Sequence, residues 1–262
     1  MPQAANKQET RTERWLITGA TGQLGSHLLY QLSVEDLGDR VLGLSRSPAR
    51  CPKTPTAQID LEDRPALTRC VEQFQPTHVL HVGGMTSVAQ AHQDPDRARR
   101  VNVAATQTLA DACAGIGARM IFTSTDMVFD GTAAPYRETD TPNPLSQYGQ
   151  TKLEAERTLT DAEKILIVRL PLMYGHPRTK RQTTFTKQID ALRKGQPLSL
   201  FTDEFRTPIH LADAAKSLIT LARSNLTGLI HVAGPQRLSR YEMVERFAAC
   251  LNITHPNLQR IS

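Results

Sequence analysis

Four residues of strand-forming character, Trp15-Leu16-Ile17-Thr18, run directly into Gly19-Ala-Thr-Gly22-Gln-Leu-Gly25. The glycine run in turn opens a stretch where Leu24, Leu28, Leu29 and Leu32 recur at helical spacing. Strand, glycine turn and helix in that order narrow the available folds more than any other feature of this chain. Glycines allow the tight turn and let backbone N–H groups approach a pyrophosphate at the helix N-terminus. In this context the turn predicts a dinucleotide site built from Gly19, Thr21, Gly22, Gln23, Leu24 and Gly25.

The alternation continues along the chain. Residues 41–44, 79–82, 120–123 and 165–168 read as short buried strands, with helices over 63–74, 96–116 and 146–159 between them. Short strands separated by helices imply βαβ units and a parallel sheet covered on both faces, so the apolar runs are continuous rather than alternating. The expected fold class is α/β: a Rossmann-type doubly wound parallel sheet, with a smaller α/β substrate-binding lobe near the C-terminus. Past residue 171 the rhythm loosens into helices over 185–193, 211–223 and 240–251 and strands over 198–201 and 229–232. The expected division is a disordered tail over 1–13, a dinucleotide-binding domain over 14–170, and a lobe over 171–262 interleaved with the last sheet elements.

Composition excludes several classes. No stretch approaches the roughly 20 apolar residues that span a bilayer, and the opening residues carry charge without an apolar core, which predicts a soluble cytoplasmic protein. The net charge of +5 reads as a solvated basic surface, with attraction for a small anion as the second reading. Nucleic acid is not an expected partner, because Arg97-Ala-Arg99-Arg100 and Arg178-Thr-Lys180-Arg181 cluster without a nucleic-acid motif. Cys51, Cys70, Cys113 and Cys250 lie too far apart for metal-ligand spacing and read as reduced thiols, so no metal is expected.

The cofactor type follows from the second strand. An acid about 20 residues past the glycines would bind the ribose 2′-hydroxyl of NAD. Ser45-Arg46 stands there instead, and an arginine suits the extra phosphate, so NADP(H) is favoured over NAD(H). Asp60, followed by Leu61, is placed to accept from the adenine amine, with a helix N-cap as the alternative.

Tyr148 and Lys152 lie four residues apart on a predicted helix and share one face. Lowering a phenol from a pKa near 10 to about 7 takes roughly 4 kcal/mol. An ammonium at about 6 Å supplies roughly 3 kcal/mol at an effective dielectric of about 20, and an oxidised nicotinamide nearby would supply the rest. A phenol tuned in this way passes a proton to or from a carbonyl or alcohol oxygen. Ser124, Thr125 and Asp126 close the strand over 120–123, where a hydroxyl can hold a substrate oxygen; the alternative is that they cap a turn.

These residues resemble the extended short-chain dehydrogenases/reductases, and within them the dTDP-4-dehydrorhamnose reductase group. The resemblance spans residues 15–251 and rests on Thr18-Gly-Ala-Thr-Gly-Gln-Leu-Gly25, Ser124-Thr-Asp-Met-Val-Phe-Asp-Gly131 and Pro144-Leu-Ser-Gln-Tyr-Gly-Gln-Thr-Lys152. Further support comes from Arg169-Leu-Pro-Leu-Met-Tyr-Gly175 and Arg206-Thr-Pro-Ile-His-Leu-Ala-Asp213. It implies NADPH-linked reduction of the 4-keto group of a nucleotide-activated 6-deoxysugar, with Thr125 supplying a hydroxyl, Tyr148 the proton, and Lys152 assisting and touching the nicotinamide ribose. It also places Asn102 near the active site, Gly83 and Gly84 where relatives carry an alanine pair, and Arg206 at the substrate diphosphate. Met127 stands where reductases usually carry tyrosine. The family also includes the regulatory β subunit of methionine adenosyltransferase. A non-catalytic NADP-binding subunit is therefore the alternative reading, and a sugar-nucleotide epimerase of the same fold is another. A dehydratase is disfavoured, because no glutamate follows Asp126. The expected partner is the sugar nucleotide, with a homodimer as an open assembly. Arg178, Lys180 and Arg181 read as a solvated loop, His210 as structural, and Arg169 as an anchor of the sheet end.

Overall fold

The computed structural model describes residues 12–47, 54–160 and 163–262. Residues 1–11 of the expected tail, and Cys51, lie outside the described residues. Strand β1 is Trp15–Thr18 and helix α1 Gln23–Val34, followed by β2 (Val41–Ser45), β3 (Thr56–Gln58), α2 (Arg64–Phe74) and β4 (His78–His81). Then come α3 (Val88–Gln93), α4 (Pro95–Arg99), α5 (Ala105–Ile116), β5 (Arg119–Thr125), α6 (Gln147–Thr158) and β6 (Ile165–Leu170). The rest comprises β7 (Met173–Tyr174), α7 (Thr184–Arg193), β8 (Leu198–Phe201), β9 (Phe205–Arg206), β10 (Ile209–His210) and α8 (Leu211–Arg223). It ends in β11 (Gly228–His231), β12 (Leu238–Ser239), α9 (Arg240–Cys250) and β13 (Leu258–Ile261).

Seven strands form one parallel sheet in the order β11-β6-β5-β4-β1-β2-β3. The period of two along β1 explains its two faces. Trp15 and Ile17 join one cluster with α1 and α8, while Leu16 joins the other with α2 and α5. A third cluster, around Leu192, Leu200, Val244 and Ala248, holds α7, β8 and α9 together as the lobe. Helix α8 and strand β11 return from the lobe segment to the main sheet. Among the described residues no helix is long and apolar enough to cross a membrane.

The single helix expected over 96–116 is corrected: a π-helical turn at Arg100–Ala104 separates α4 from α5. Its reason is tertiary. Asn102, within that turn, accepts from the Met85 amide at 2.8 Å and donates to the Met85 carbonyl at 3.1 Å, contacts that periodicity cannot announce. Short pairings such as β13 on β8 and β10 on β7 likewise depend on distant partners rather than on local pattern.

Candidate functional site

The sheet order reverses at β1, which has β2 on one side and β4 on the other. Beyond the carboxyl ends of these strands opens a cleft of about 940 Å³, the place where open α/β sheets take ligands. The glycine turn forms one wall. A Cβ on Gly25 would stand 2.2 Å from the Gly19 carbonyl oxygen, so only glycine lets α1 start this close to the turn. Gly22 caps α1 without any side-chain hydrogen bond, and its first turn holds no acidic residue. The positive helix end is thus left to whatever occupies the cleft, which suits an anionic pyrophosphate. Gly19, Thr21, Gly22, Gln23, Leu24 and Gly25 all line this wall.

Ser45, Arg46, Asp60 and Leu61 line the next stretch. Arg46 is exposed, whereas the Ser45 hydroxyl donates to the Ser47 carbonyl at 2.6 Å. Asp60 accepts from the Glu62 amide at 3.1 Å, and Asp63 rather than Asp60 caps α2. Gly83, Gly84 and Asn102 form the floor.

At the chemical end, β5 delivers Ser124 and Thr125, both buried. Ser124 lines the cleft, and its buried hydroxyl has no hydrogen-bond partner among the described residues. Ser146 caps α6 by accepting from the Gly149 amide at 3.0 Å. A Cβ on Gly149 would lie 2.3 Å from the Met127 carbonyl oxygen, so glycine brings the first turn of α6 against the turn that follows β5. Tyr148, beside it, reaches hydrogen-bond contact with Thr125. The Thr125 hydroxyl also contacts Asp126 Oδ1 at 3.3 Å and receives the Met127 amide at 3.2 Å.

Tyr148 and Lys152 both line the cleft, and the protein groups by themselves shift the phenol opposite to the expected direction. Burial pushes the Tyr148 phenol up to about 12, and the Asp126 carboxylate adds to that rise against the Thr125 hydrogen bond. Lys152 Nζ lies 3.9 Å from the centre of the Phe122 ring. Burial pulls this amine down to about 7, with Glu156 opposing. Desolvation of each group outweighs the attraction expected between them.

The end of the cleft at Arg206 is a ladder of alternating charges. Arg206 Nε lies 3.5 Å from Asp126 Oδ2, and its Nη2 lies 3.0 Å from Glu204 Oε1. The same Glu204 oxygen accepts from Arg240 at 2.8 Å. Burial raises the Asp126 carboxyl while Arg206 pulls it down. Arg206 therefore lines the cleft as expected, yet it is engaged by two carboxylates. Sequence reasoning missed Arg240 and Met243 of α9 and Lys187 of α7, which line the same cleft. The pairing of Arg240 with Arg206 through Glu204 joins residues too far apart in sequence for local pattern to show it.

The basic loop is solvated as expected, with Arg178, Lys180 and Arg181 exposed. Arg181 lines the cleft, and Arg178 stacks over Tyr30 at 3.7 Å while its amide donates to the Ser26 hydroxyl at 3.1 Å. His210 is structural, accepting from the Ala212 amide at 3.3 Å at the start of α8. Arg169 anchors the sheet end through Glu156 at 2.7 Å.

Residues 13–262 match the family described as the RmlD substrate binding domain. The chain is 31% identical over 258 residues to methionine adenosyltransferase 2 subunit beta of Xenopus laevis, covering 96% of this chain and 76% of that protein. Among solved structures it is similar to the dTDP-4-dehydrorhamnose reductase of Bacillus anthracis in complex with NADP, at TM-score 0.83 and 26% identity, over 96% of this chain and 85% of that one. It is also similar to MoeE5 in complex with UDP-glucose and NAD, at TM-score 0.81 and 26% identity, over 95% and 85% of the two chains.

Proposed function

Because this chain belongs to the RmlD substrate binding domain family, we propose that it is an NADP(H)-dependent reductase of a 4-keto-6-deoxysugar carried on a nucleoside diphosphate. The observation that carries the reading is the meeting of Thr125 and Tyr148 in one cleft with Lys152 and the glycine turn. The turn at Gly19–Gly25 would hold the cofactor pyrophosphate, Arg46 the 2′-phosphate, and Asp60 the adenine. When bound, the cofactor supplies hydride to the carbonyl carbon of the sugar.

The remaining chemistry belongs to the chain. Reduction of a ketone to an alcohol needs a proton at the oxygen as well as hydride at the carbon. The Tyr148 phenol, held fully protonated at neutral pH, donates it, and the Thr125 hydroxyl positions the accepting oxygen. The resulting phenolate regains its proton with help from Lys152, an amine that exchanges protons near neutral pH. Arg206 and Arg240, which line the cleft, would meet the diphosphate of the substrate. Loss of reduced-nicotinamide absorbance with dTDP-4-dehydrorhamnose tests the reading. Turnover with NADPH supports it, and its absence with every 4-keto sugar nucleotide tried sinks it.

A second reading, a non-catalytic NADP-binding regulatory subunit, is favoured by the 31% identity to methionine adenosyltransferase 2 subunit beta. A stable complex with a methionine adenosyltransferase catalytic subunit, formed without sugar-nucleotide turnover, would select it over the reductase.

A further inference from the structure

Beneath the cleft floor runs a buried line of hydrogen bonds whose polarity can be worked out. The Gly83 amide donates to Thr18 Oγ1 at 3.0 Å, and that oxygen lies 2.7 Å from His81 Nδ1. Across the ring, His81 Nε2 lies 2.9 Å from Thr106 Oγ1, and the Thr106 hydroxyl donates to the Asn102 carbonyl at 2.7 Å. A hydroxyl has one proton to give. Thr106 has given it to Asn102, so toward the ring it can only accept, which puts the imidazole proton on Nε2. Nδ1 is then the acceptor, and the Thr18 hydroxyl donates to it.

The line goes on through Asn102. Its side-chain amide donates to Thr151 Oγ1 at 3.0 Å, and the Thr151 hydroxyl donates to the Tyr148 carbonyl at 2.9 Å. His81 is 1% exposed, and burial with the nearby Lys152 ammonium keeps it neutral. Its ring stacks on Phe122 at 5.7 Å, the same ring that Lys152 Nζ lies over. Gly83, Asn102, Tyr148 and Lys152 line the cleft, whereas Thr18, His81, Thr106 and Thr151 stand behind it.

We propose that His81, fixed in its Nε2–H form, is a positioning residue that sets the cofactor floor at Gly83 against the first turn of α6 that carries Tyr148. The inference rests on the dinucleotide reading of the cleft. An apolar side chain at 81 would leave the hydroxyls of Thr18 and Thr106 short of a partner inside the core. Such groups cost enough for the strand ends to shift in search of others.

The test is an NADPH fluorescence titration of the full chain and four variants. His81→Leu and Thr106→Val each break the line, and each should weaken NADPH binding about tenfold. His81→Gln, whose amide accepts on one side and donates on the other, should stay within about threefold of wild type. Leu218→Ala, in the core beneath α8, serves as the control. It should lower the thermal midpoint as much as His81→Leu yet bind NADPH like wild type. Wild-type affinity in His81→Leu, or an equal loss in Leu218→Ala at equal midpoint, overturns the inference. Should His81→Leu fail to fold, Thr106→Val and imidazole-nitrogen NMR of the wild type decide it, since a proton on Nδ1 would refute the derived polarity. Failure of the wild type to bind NADPH at all removes the dinucleotide reading itself, and this inference with it.

Discussion

Helix α6 buries two charged residues one turn apart, Lys152 and Glu156, and treats them in opposite ways. Glu156 receives a two-point contact from Arg169, with Nε to Oε1 at 3.0 Å and Nη2 to Oε2 at 2.7 Å. That pair ties α6 to the end of β6. Lys152 is just as buried, but its amine rests on the Phe122 ring and faces the cleft. The difference teaches what each charge is for. A buried ion whose hydrogen bonds are all met by the protein holds structure. One left with a ring for company is held near its point of titration, available to a ligand or a proton.

The contrast can be broken most sharply at the cleft side of the helix. Tyr148→Phe should lower the reduction rate by about 10²–10⁴-fold, the usual worth of a positioned acid, with the unfolding transition unchanged. An unaltered rate removes Tyr148 from the mechanism. On the other side, Glu156→Gln leaves Arg169 buried without its counter-charge and should destabilise the fold by about 3–5 kcal/mol, measured by urea denaturation. Activity below the melting range should survive. If it disappears while the fold holds, the division between structural and chemical charge on α6 is wrong. A smaller effect is expected at the ladder. Arg206→Ala should raise KM for the sugar nucleotide about tenfold, as loss of one charge-assisted contact does, with kcat changed far less.

How much of this was legible beforehand depends on the range of the interaction. The strands of the main sheet and the helix carrying Tyr148 and Lys152 follow from apolar spacing, and Gly19 to Gly25 announces the turn because the strand and helix that flank it are local. The π-helical turn was not readable, since Asn102 takes its shape from Met85 and Thr151. The same holds for the line through His81, whose partners Thr18 and Thr106 stand 63 and 25 residues away. The Tyr148–Lys152 pair failed for a different reason. Helical spacing shows that the two groups share a face but not how deeply each is buried, and among the protein groups burial is the larger effect.

That burial gives the most discriminating test of the comparison. The Lys152 amine titrates at about 7 in the folded protein against its ordinary 10.5. Between these values the unfolded chain holds a proton that the folded one does not, so stability rises with pH across this window. Below about pH 7 both states are protonated and the full penalty of a buried ammonium remains. Lys152→Met removes the penalty while keeping a flexible apolar stem over Phe122. The variant should therefore be more stable than wild type near neutral pH, by up to about 5 kcal/mol, and the advantage should shrink to nothing as pH climbs past about 10. Tyr148, raised from 10 to about 12, acts with the opposite sign above that point. It is present in both proteins and cancels in their difference. Parallel stability curves from about pH 7 to 10 would show that the ammonium is not paying for its burial, and Lys152 would then belong with Glu156 among the charges that hold the fold.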